Sequence, residues 1–293
     1  MTSPACWCGN STLVPFRESY SRCAACETIV FLGERPANLA QVSNEQEDFY
    51  GRSYWYERQV GVHGLPDLDE KARRDLTERC PTWLRILMGY CLPPARVLEI
   101  GAAHGGLVAM ARWAGFDATG LEVSPYISDW ACAHFGVPMM IGPLEEQILP
   151  PESFDAIILL DVLEHLPDPK TTLARCRELL APEGILVIQT PEYPAGRSFE
   201  DLTRSSSDFL KMLIPVEHLF LFSRSSVQLF LARLGFTYSV FEPGLSPAYN
   251  MTFVSSAAPL VRHRPDEIRA ALLSTPSGRL VDAFLSFEAA GPR

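Results

Sequence analysis

From Arg96 onward the chain alternates short apolar runs with longer segments whose apolar positions recur every three or four residues. Runs at 96–100, 118–121, 138–141, 154–160 and 184–189 have the length and β-branched content of buried strands. Between them, 107–113, 127–135 and 169–180 carry the spacing of amphipathic helices. Strands that alternate with helices are joined by right-handed crossovers, so this pattern predicts a parallel sheet covered on both faces. Beyond it, 224–234 reads as a helix, and 236–241 and 251–254 as a pair of edge strands that close the sheet. Upstream, Leu76, Trp83, Leu84, Leu87 and Met88 have helical spacing, interrupted by Pro81 and stopped by Pro93-Pro94. The interval 192–222 is long and irregular, as functional loops tend to be. A last amphipathic helix is expected near 266–273.

The remaining stretch before the sheet differs in kind. Residues 34–48 are polar with little periodicity and read as a linker. The cluster Phe49, Tyr50, Tyr54, Trp55 and Tyr56 suits either half-buried packing or a lid over a ligand pocket. No repeats or low-complexity tracts occur. The division expected is an N-terminal segment 1–33, a linker and aromatic lid 34–74, a main domain 75–255 and a helical tail 256–293.

Composition narrows the partners. With 293 residues, 47% hydrophobic and 20% charged, the chain can bury a large core. Its formal net charge of -10 repels phosphate backbones, and neither Arg73-Arg74 nor Arg262-His263-Arg264 makes a nucleic-acid footprint, so nucleic acid is disfavoured as a partner. Met1-Thr2-Ser3-Pro4 does not begin a secretory signal, and no apolar run reaches membrane-spanning length, so a cytoplasmic protein is expected, as monomer or homodimer.

Eight cysteines fall into two groups. Cys80, Cys91, Cys132 and Cys176 are scattered without a framework and read as reduced packing residues. Cys6-Trp7-Cys8 and Cys23-Ala24-Ala25-Cys26 instead pair across a short excursion, an arrangement able to bring four thiolates to one tetrahedral zinc. So small a segment needs such a metal to fold, and a four-cysteine site has no open position for catalysis. The expectation is a small structural zinc ribbon, with a redox Cys-x-x-Cys or an empty tail as the other reading; the first pair has one intervening residue where a knuckle has two.

The chemistry concentrates where the first strand ends. Val97-Leu98-Glu99-Ile100 runs into Gly101-Ala102-Ala103-His104-Gly105-Gly106, whose small residues let a ligand approach the backbone. The glycine spacing does not fit the dinucleotide fingerprint. It resembles the Glu-x-Gly-x-Gly-x-Gly loop of class I S-adenosylmethionine-dependent methyltransferases, with Ala103 in place of the middle glycine. Three further stretches fall in register: Glu122 at the end of the second strand, Phe154 to Leu166 around the fourth, and Leu179 to Ile188 before and through the fifth.

The resemblance implies an α/β, Rossmann-like, doubly wound sheet of seven strands, the last antiparallel. It implies that Glu99, Gly101, Ala102, His104 and Gly105 surround the methionine end of the cofactor, that Glu122 with Val123 holds the ribose, that Pro143 and Leu144 flank the adenine, and that Asp161 lies beside the sulfonium. The stretch Val216-Glu217-His218-Leu219-Phe220-Leu221-Phe222-Ser223 resembles one found in methyltransferases acting on sugars, glycolipids and other secondary metabolites. His218 is accordingly the candidate base, its neutral form being present at pH 7, with Glu217 orienting it or binding the acceptor and His165 in reserve. The cysteine segment beside such a core is similar to sugar C-methyltransferases, although those carry an additional C-terminal α/β domain where this chain has the 256–293 tail. The function expected is methyl transfer to a small-molecule acceptor. A zinc-ribbon interaction scaffold with an inactive fold is the alternative. RNA or protein methylation is a third reading, disfavoured because Asp161-Val162-Leu163-Glu164 stands where an Asn-Pro-Pro-Tyr motif would be.

Overall fold

The computed structural model of the protein describes residues 5–36, 39–62, 64 and 66–289. Its N-terminal segment forms β1 (Leu13–Arg17), β2 (Tyr20–Cys23) and β3 (Ile29–Phe31), an antiparallel meander. A π-helix over Tyr54–Val62 follows, then α1 (Leu68–Glu78) and α2 (Cys80–Met88). These two helices are the segment in which Pro81 was expected to break the periodicity. The break falls at Arg79, with Pro81 accommodated in the first turn of α2, where no backbone donor is needed.

The main sheet is built from β4 (Arg96–Ile100), β5 (Asp117–Glu122), β6 (Met139–Ile141), β7 (Phe154–Leu160) and β8 (Leu180–Pro191). Between these strands lie α3 (Gly106–Ala114), α4 (Pro125–Phe135) and α5 (Pro169–Leu179). Ser124-Pro125 and Asp168-Pro169 start α4 and α5 alike: the Ser or Asp side chain accepts from the first-turn amides, and the proline fills a position whose amide has no partner. Further along come α6 (Phe199–Arg204), β9 (Phe220–Leu221), α7 (Arg224–Arg233), β10 (Tyr238–Glu242), β11 (Asn250–Ser256), α8 (Pro265–Leu273) and α9 (Pro276–Ala289).

The seven strands lie in the order β10-β11-β8-β7-β4-β5-β6. Five are parallel, and β11 sits antiparallel between β8 and β10. This is the doubly wound sheet expected, with one refinement: of the two closing strands only β10 is an edge. Alternation along β7 feeds two apolar layers, Ile157 and Leu159 on one face, Ala156, Ile158 and Leu160 on the other. Each fully buried side chain of this kind contributes about 1.5–3 kcal/mol, which makes the register of the sheet hard to shift.

Three expectations need correction. Cys132 is exposed on α4 and is not a packing residue, whereas Cys80 and Cys176 are buried. The polar stretch read as a linker is anchored, with Leu39 and Val42 buried and the Glu45 carboxylate accepting from Tyr126 N at 2.6 Å. The tail holds two helices instead of one: α9 buries Val281 and Leu285, one turn apart, behind a Ser274-Thr275-Pro276-Ser277-Gly278 start that reads as a loop. The terminal residues 1–4 and 290–293 lie outside the described residues, and no helix among the described residues is long and apolar enough to cross a membrane.

Candidate functional site

A cleft of about 1100 Å³ opens over the carboxyl ends of β4, β5, β7 and β8, where open α/β sheets place their ligands. It falls into two halves.

The first half is made by turns that directly follow strands. After β4 the backbone passes through the left-handed region at Gly101 (φ 68°), Ala103 (46°) and Gly105 (73°). A Cβ at Gly101 would stand 2.4 Å from a methyl of Val162, so only glycine fits there. Ala103 carries its methyl at a cost of about 1–2 kcal/mol. Gly105 does not line the cleft; it precedes α3 and lets that helix pack against Ala131 and Val137.

Two buried acids flank this bend. Glu122 accepts hydrogen bonds from the amides of Ala103 (3.0 Å), Val123 (2.9 Å) and Ser124 (3.2 Å), tying the bend after β4 to the turn after β5. Burial pushes its carboxyl up, against those amides, which pull it down. Glu99 is 7% exposed, and its Oε2 is buried without a hydrogen-bond partner among the described residues. Burial, helped by the charge of Glu122, pushes Glu99 up to about 8. An orphaned carboxylate facing a cleft is a place for a cation or a donor. Pro143 and Leu144 line the same half beyond Glu122.

Helices α1 and α2 close this half with residues that the sequence reading missed. Asp75 accepts from His104 (2.8 Å) and Lys71 (2.8 Å). Because Gly106 N donates to His104 Nδ1 (3.2 Å), the ring proton sits on Nε2 and points to Asp75. Although burial alone would raise it, that hydrogen bond and the charges of Lys71 and Arg79 hold Asp75 well below the usual carboxylate range. Burial likewise keeps His104 neutral, below its ordinary value. Arg79 reaches Asp161 at 2.6 Å and lies over the Trp83 ring, while Gln189 donates to the other Asp161 oxygen at 3.0 Å. The acid–base spacing Lys71, Asp75, Arg79 is the signal that was available in the sequence.

The second half is assembled from distant parts. His218 is 6% exposed, Glu217 2%. His218 Nδ1 lies 2.7 Å from the Met212 carbonyl; a carbonyl only accepts, so Nδ1 bears a proton and the ring is held in a fixed orientation. The rings of His218 and His165 meet edge to face at 4.8 Å, and His165 Nδ1 lies 3.1 Å from the Tyr50 hydroxyl. Glu217 accepts from Arg58 Nε at 2.6 Å. Tyr50, Tyr54 and Trp55 line the cleft, so the aromatic cluster both packs and covers. The strap from 39 to 62 thus touches both halves, through Glu45 on α4 and Arg58 on Glu217.

Away from the cleft, Cys6, Cys8, Cys23 and Cys26 converge. Their sulfurs all lie within 4.8 Å of one another, with Cys6–Cys26 at 3.5 Å and Cys8–Cys23 at 3.6 Å. The ribbon they close is docked on α7 by Trp7, stacked on Phe230 at 4.2 Å.

A family model described as a methyltransferase domain matches residues 71–239. Among curated proteins the chain is 36% identical over 107 residues to a ubiquinone biosynthesis O-methyltransferase of Xanthomonas campestris pv. campestris, covering 34% of this chain and 44% of that one. It is 30% identical over 141 residues to the protein of that name in Psychrobacter arcticus, covering 42% and 54%. The match therefore spans about half the length of these relatives. Among solved structures, a CurJ carbon methyltransferase aligns with a TM-score of 0.50 at 22% identity, covering 69% of this chain and 61% of that one, a likeness of fold.

Proposed function

The chain belongs to the methyltransferase domain family, and from that premise we propose that it binds S-adenosylmethionine in the first half of the cleft and transfers its methyl group to a small molecule held in the second. The observation that carries the reading is the pair of buried acids on adjacent strand ends, Glu99 with an unpartnered oxygen and Glu122 braced by three amides. Such a nest suits a ligand that is cationic at one end and carries a diol at the other. Glu99 with the backbone of 101–106 holds the methionine end, Glu122 and Val123 the ribose, Pro143 and Leu144 the adenine, and Asp161 faces the reacting centre.

When bound, the cofactor supplies a sulfonium methyl, whose bond electrons return to sulfur as the acceptor atom takes the carbon. The chain's own residues align the acceptor and receive its proton. His218 is the base, its ring oriented by the Nδ1 hydrogen bond to Met212. Glu217, held by Arg58, contacts the acceptor or keeps the imidazole in place, and the aromatic strap excludes water. The ubiquinone biosynthesis O-methyltransferase relatives support a small-molecule acceptor, and the sugar, glycolipid or secondary-metabolite class rests on the likeness of the 216–223 stretch.

The four cysteines hold a structural zinc in this reading. Zinc–sulfur bonds of about 2.3 Å place tetrahedral sulfurs roughly 3.8 Å apart, in the range observed here. Calorimetric titration with S-adenosylmethionine and S-adenosylhomocysteine, followed by a transfer screen over hydroxylated, sugar-linked and amine acceptors, tests the proposal. Binding of the two ligands in the micromolar range is expected; saturation by NAD with no affinity for either would refute it.

A further inference from the structure

The ribbon's sheet does not end within the ribbon. Its fourth strand is β9, which begins two residues after His218, with Ile29 opposite Leu221 and Val30 opposite Phe220. Phe31 N donates to the Leu219 carbonyl at 2.9 Å, and the buried Tyr20 hydroxyl donates to the carbonyl of His218 itself at 3.1 Å. Cys6, Cys23 and Cys26 share one apolar cluster with Leu219, Phe220, Phe222 and Phe230. From the opposite side, Leu219 N donates to the Glu164 carbonyl at 2.7 Å.

This clamp acts on a strained backbone. Val216, immediately before Glu217, has φ 74°, a region that β-branched residues avoid at a cost on the order of 1–3 kcal/mol. Such a conformation persists only where its surroundings over-determine it, and here those surroundings include β3 and Tyr20. The link to the cofactor half is apolar only: the same cluster reaches Ile100, Leu121 and Leu144, but among the described residues no hydrogen bond runs from the ribbon to the bend at 101–106 or to Glu122.

We propose that metal occupancy of the four-cysteine cluster sets the position of the Glu217–His218 pair, with Tyr20 as the positioning residue, so that the ribbon controls the acceptor half and leaves the cofactor half alone. The inference rests on the zinc and His218 readings above. The four sulfurs tie the turns of this meander to one another, so its strands loosen when the metal leaves. With β3 gone, β9 loses its partner, Val216 relaxes out of the left-handed region, and the imidazole loses its fixed orientation.

Histidine nitrogen resonances report this directly, because the His218 signals, identified by their loss in His218→Gln, distinguish a fixed Nδ1–H tautomer from a solvent-averaged ring. The full-length protein is compared before and after stripping with a chelator, with zinc content and S-adenosylhomocysteine affinity measured on the same samples. Stripping about one zinc per chain is expected to collapse the fixed pattern, reversibly on zinc return, while the affinity changes by less than about threefold. Tyr20→Phe, still zinc-loaded, is expected to loosen the same pattern in part, which covers the case in which stripped protein unfolds. A His218 pattern indifferent to both changes overturns the inference alone, as does, in stripped protein that stays folded or in zinc-loaded Tyr20→Phe, an affinity that falls together with the fixed pattern. Protein that retains no zinc when prepared without chelator overturns the metal reading and the inference with it.

Discussion

The two halves of the cleft are made by opposite strategies. On the side proposed for the cofactor, most groups come from the ends of parallel strands and the turns after them, Gly101 and Ala103 after β4, Glu122 at the end of β5 and Asp161 after β7, with Asp75 and Arg79 bracing them from the helical segment in front. On the acceptor side, contacts join residues far apart in the chain, such as Tyr20 to His218, Arg58 to Glu217 and Tyr50 to His165. A strand end fixes its turn through the sheet, so the first half tolerates change elsewhere. The second half depends on whichever distant elements happen to hold it. Cofactor binding and methyl transfer should therefore be separable by mutation.

The sharpest test of that separation is His218→Ala. With an acceptor from the screen, turnover is expected to fall by about 10²–10⁴, the contribution of a positioned base, at unchanged S-adenosylhomocysteine affinity; undiminished turnover would remove the base assignment. The reverse case is Gly101→Ala. Its methyl meets Val162 and its backbone is left-handed, so cofactor affinity should drop roughly 10–100-fold by calorimetry, with the His218 resonances in place. Next comes Arg58→Ala, which leaves Glu217 buried beside an opened strap. It is expected to raise the acceptor KM several-fold and to leave cofactor affinity alone; a matching loss of cofactor affinity would show that the halves are not independent.

The smallest effect concerns Glu99. Its folded pKa of about 8 lies above the ordinary carboxylate value, so the folded state binds more protons than the unfolded chain from about pH 4.5 to 8. Stability contributed by this group therefore declines as pH rises through that window. Glu99→Gln should raise the melting temperature of the ligand-free protein by a few degrees at pH 8 and hardly at all at pH 4, while weakening cofactor binding. Calorimetry of the parent protein in buffers of different ionisation enthalpy should show proton release on cofactor binding near pH 7. Its absence would mean that Glu99 is already ionised or stays protonated in the complex.

The same contrast explains what could be read from the sequence. The five parallel strands and their helices were legible because short apolar runs and a three-to-four-residue spacing between them are local signals. Glu99 and Glu122 were legible for the same reason, since a strand end and its turn are contiguous. The aromatic cluster around Tyr50 was legible as packing or a lid, whereas the roles of Arg79 and Arg58 were not, because they lie in partners brought close only by the fold. The 34–48 stretch was misread as a linker since its anchors, Leu39, Val42 and Glu45, are single residues in a polar run. The second tail helix was hidden by the loop-like residues at its start.

The direction of β11 has its own consequence. Every parallel strand offers the cleft its carboxyl end, but β11 runs the other way, so it offers the residues that lead into it, and Leu245, Ser246, Tyr249 and Asn250 line the wall. The connection 243–249 between β10 and β11 is a hairpin loop whose ends are fixed by a long antiparallel register. Lengthening or rewriting such a loop costs little folding free energy. On the proposed reading, this hairpin is where acceptor preference is tuned, apart from the turns assigned to the methyl donor.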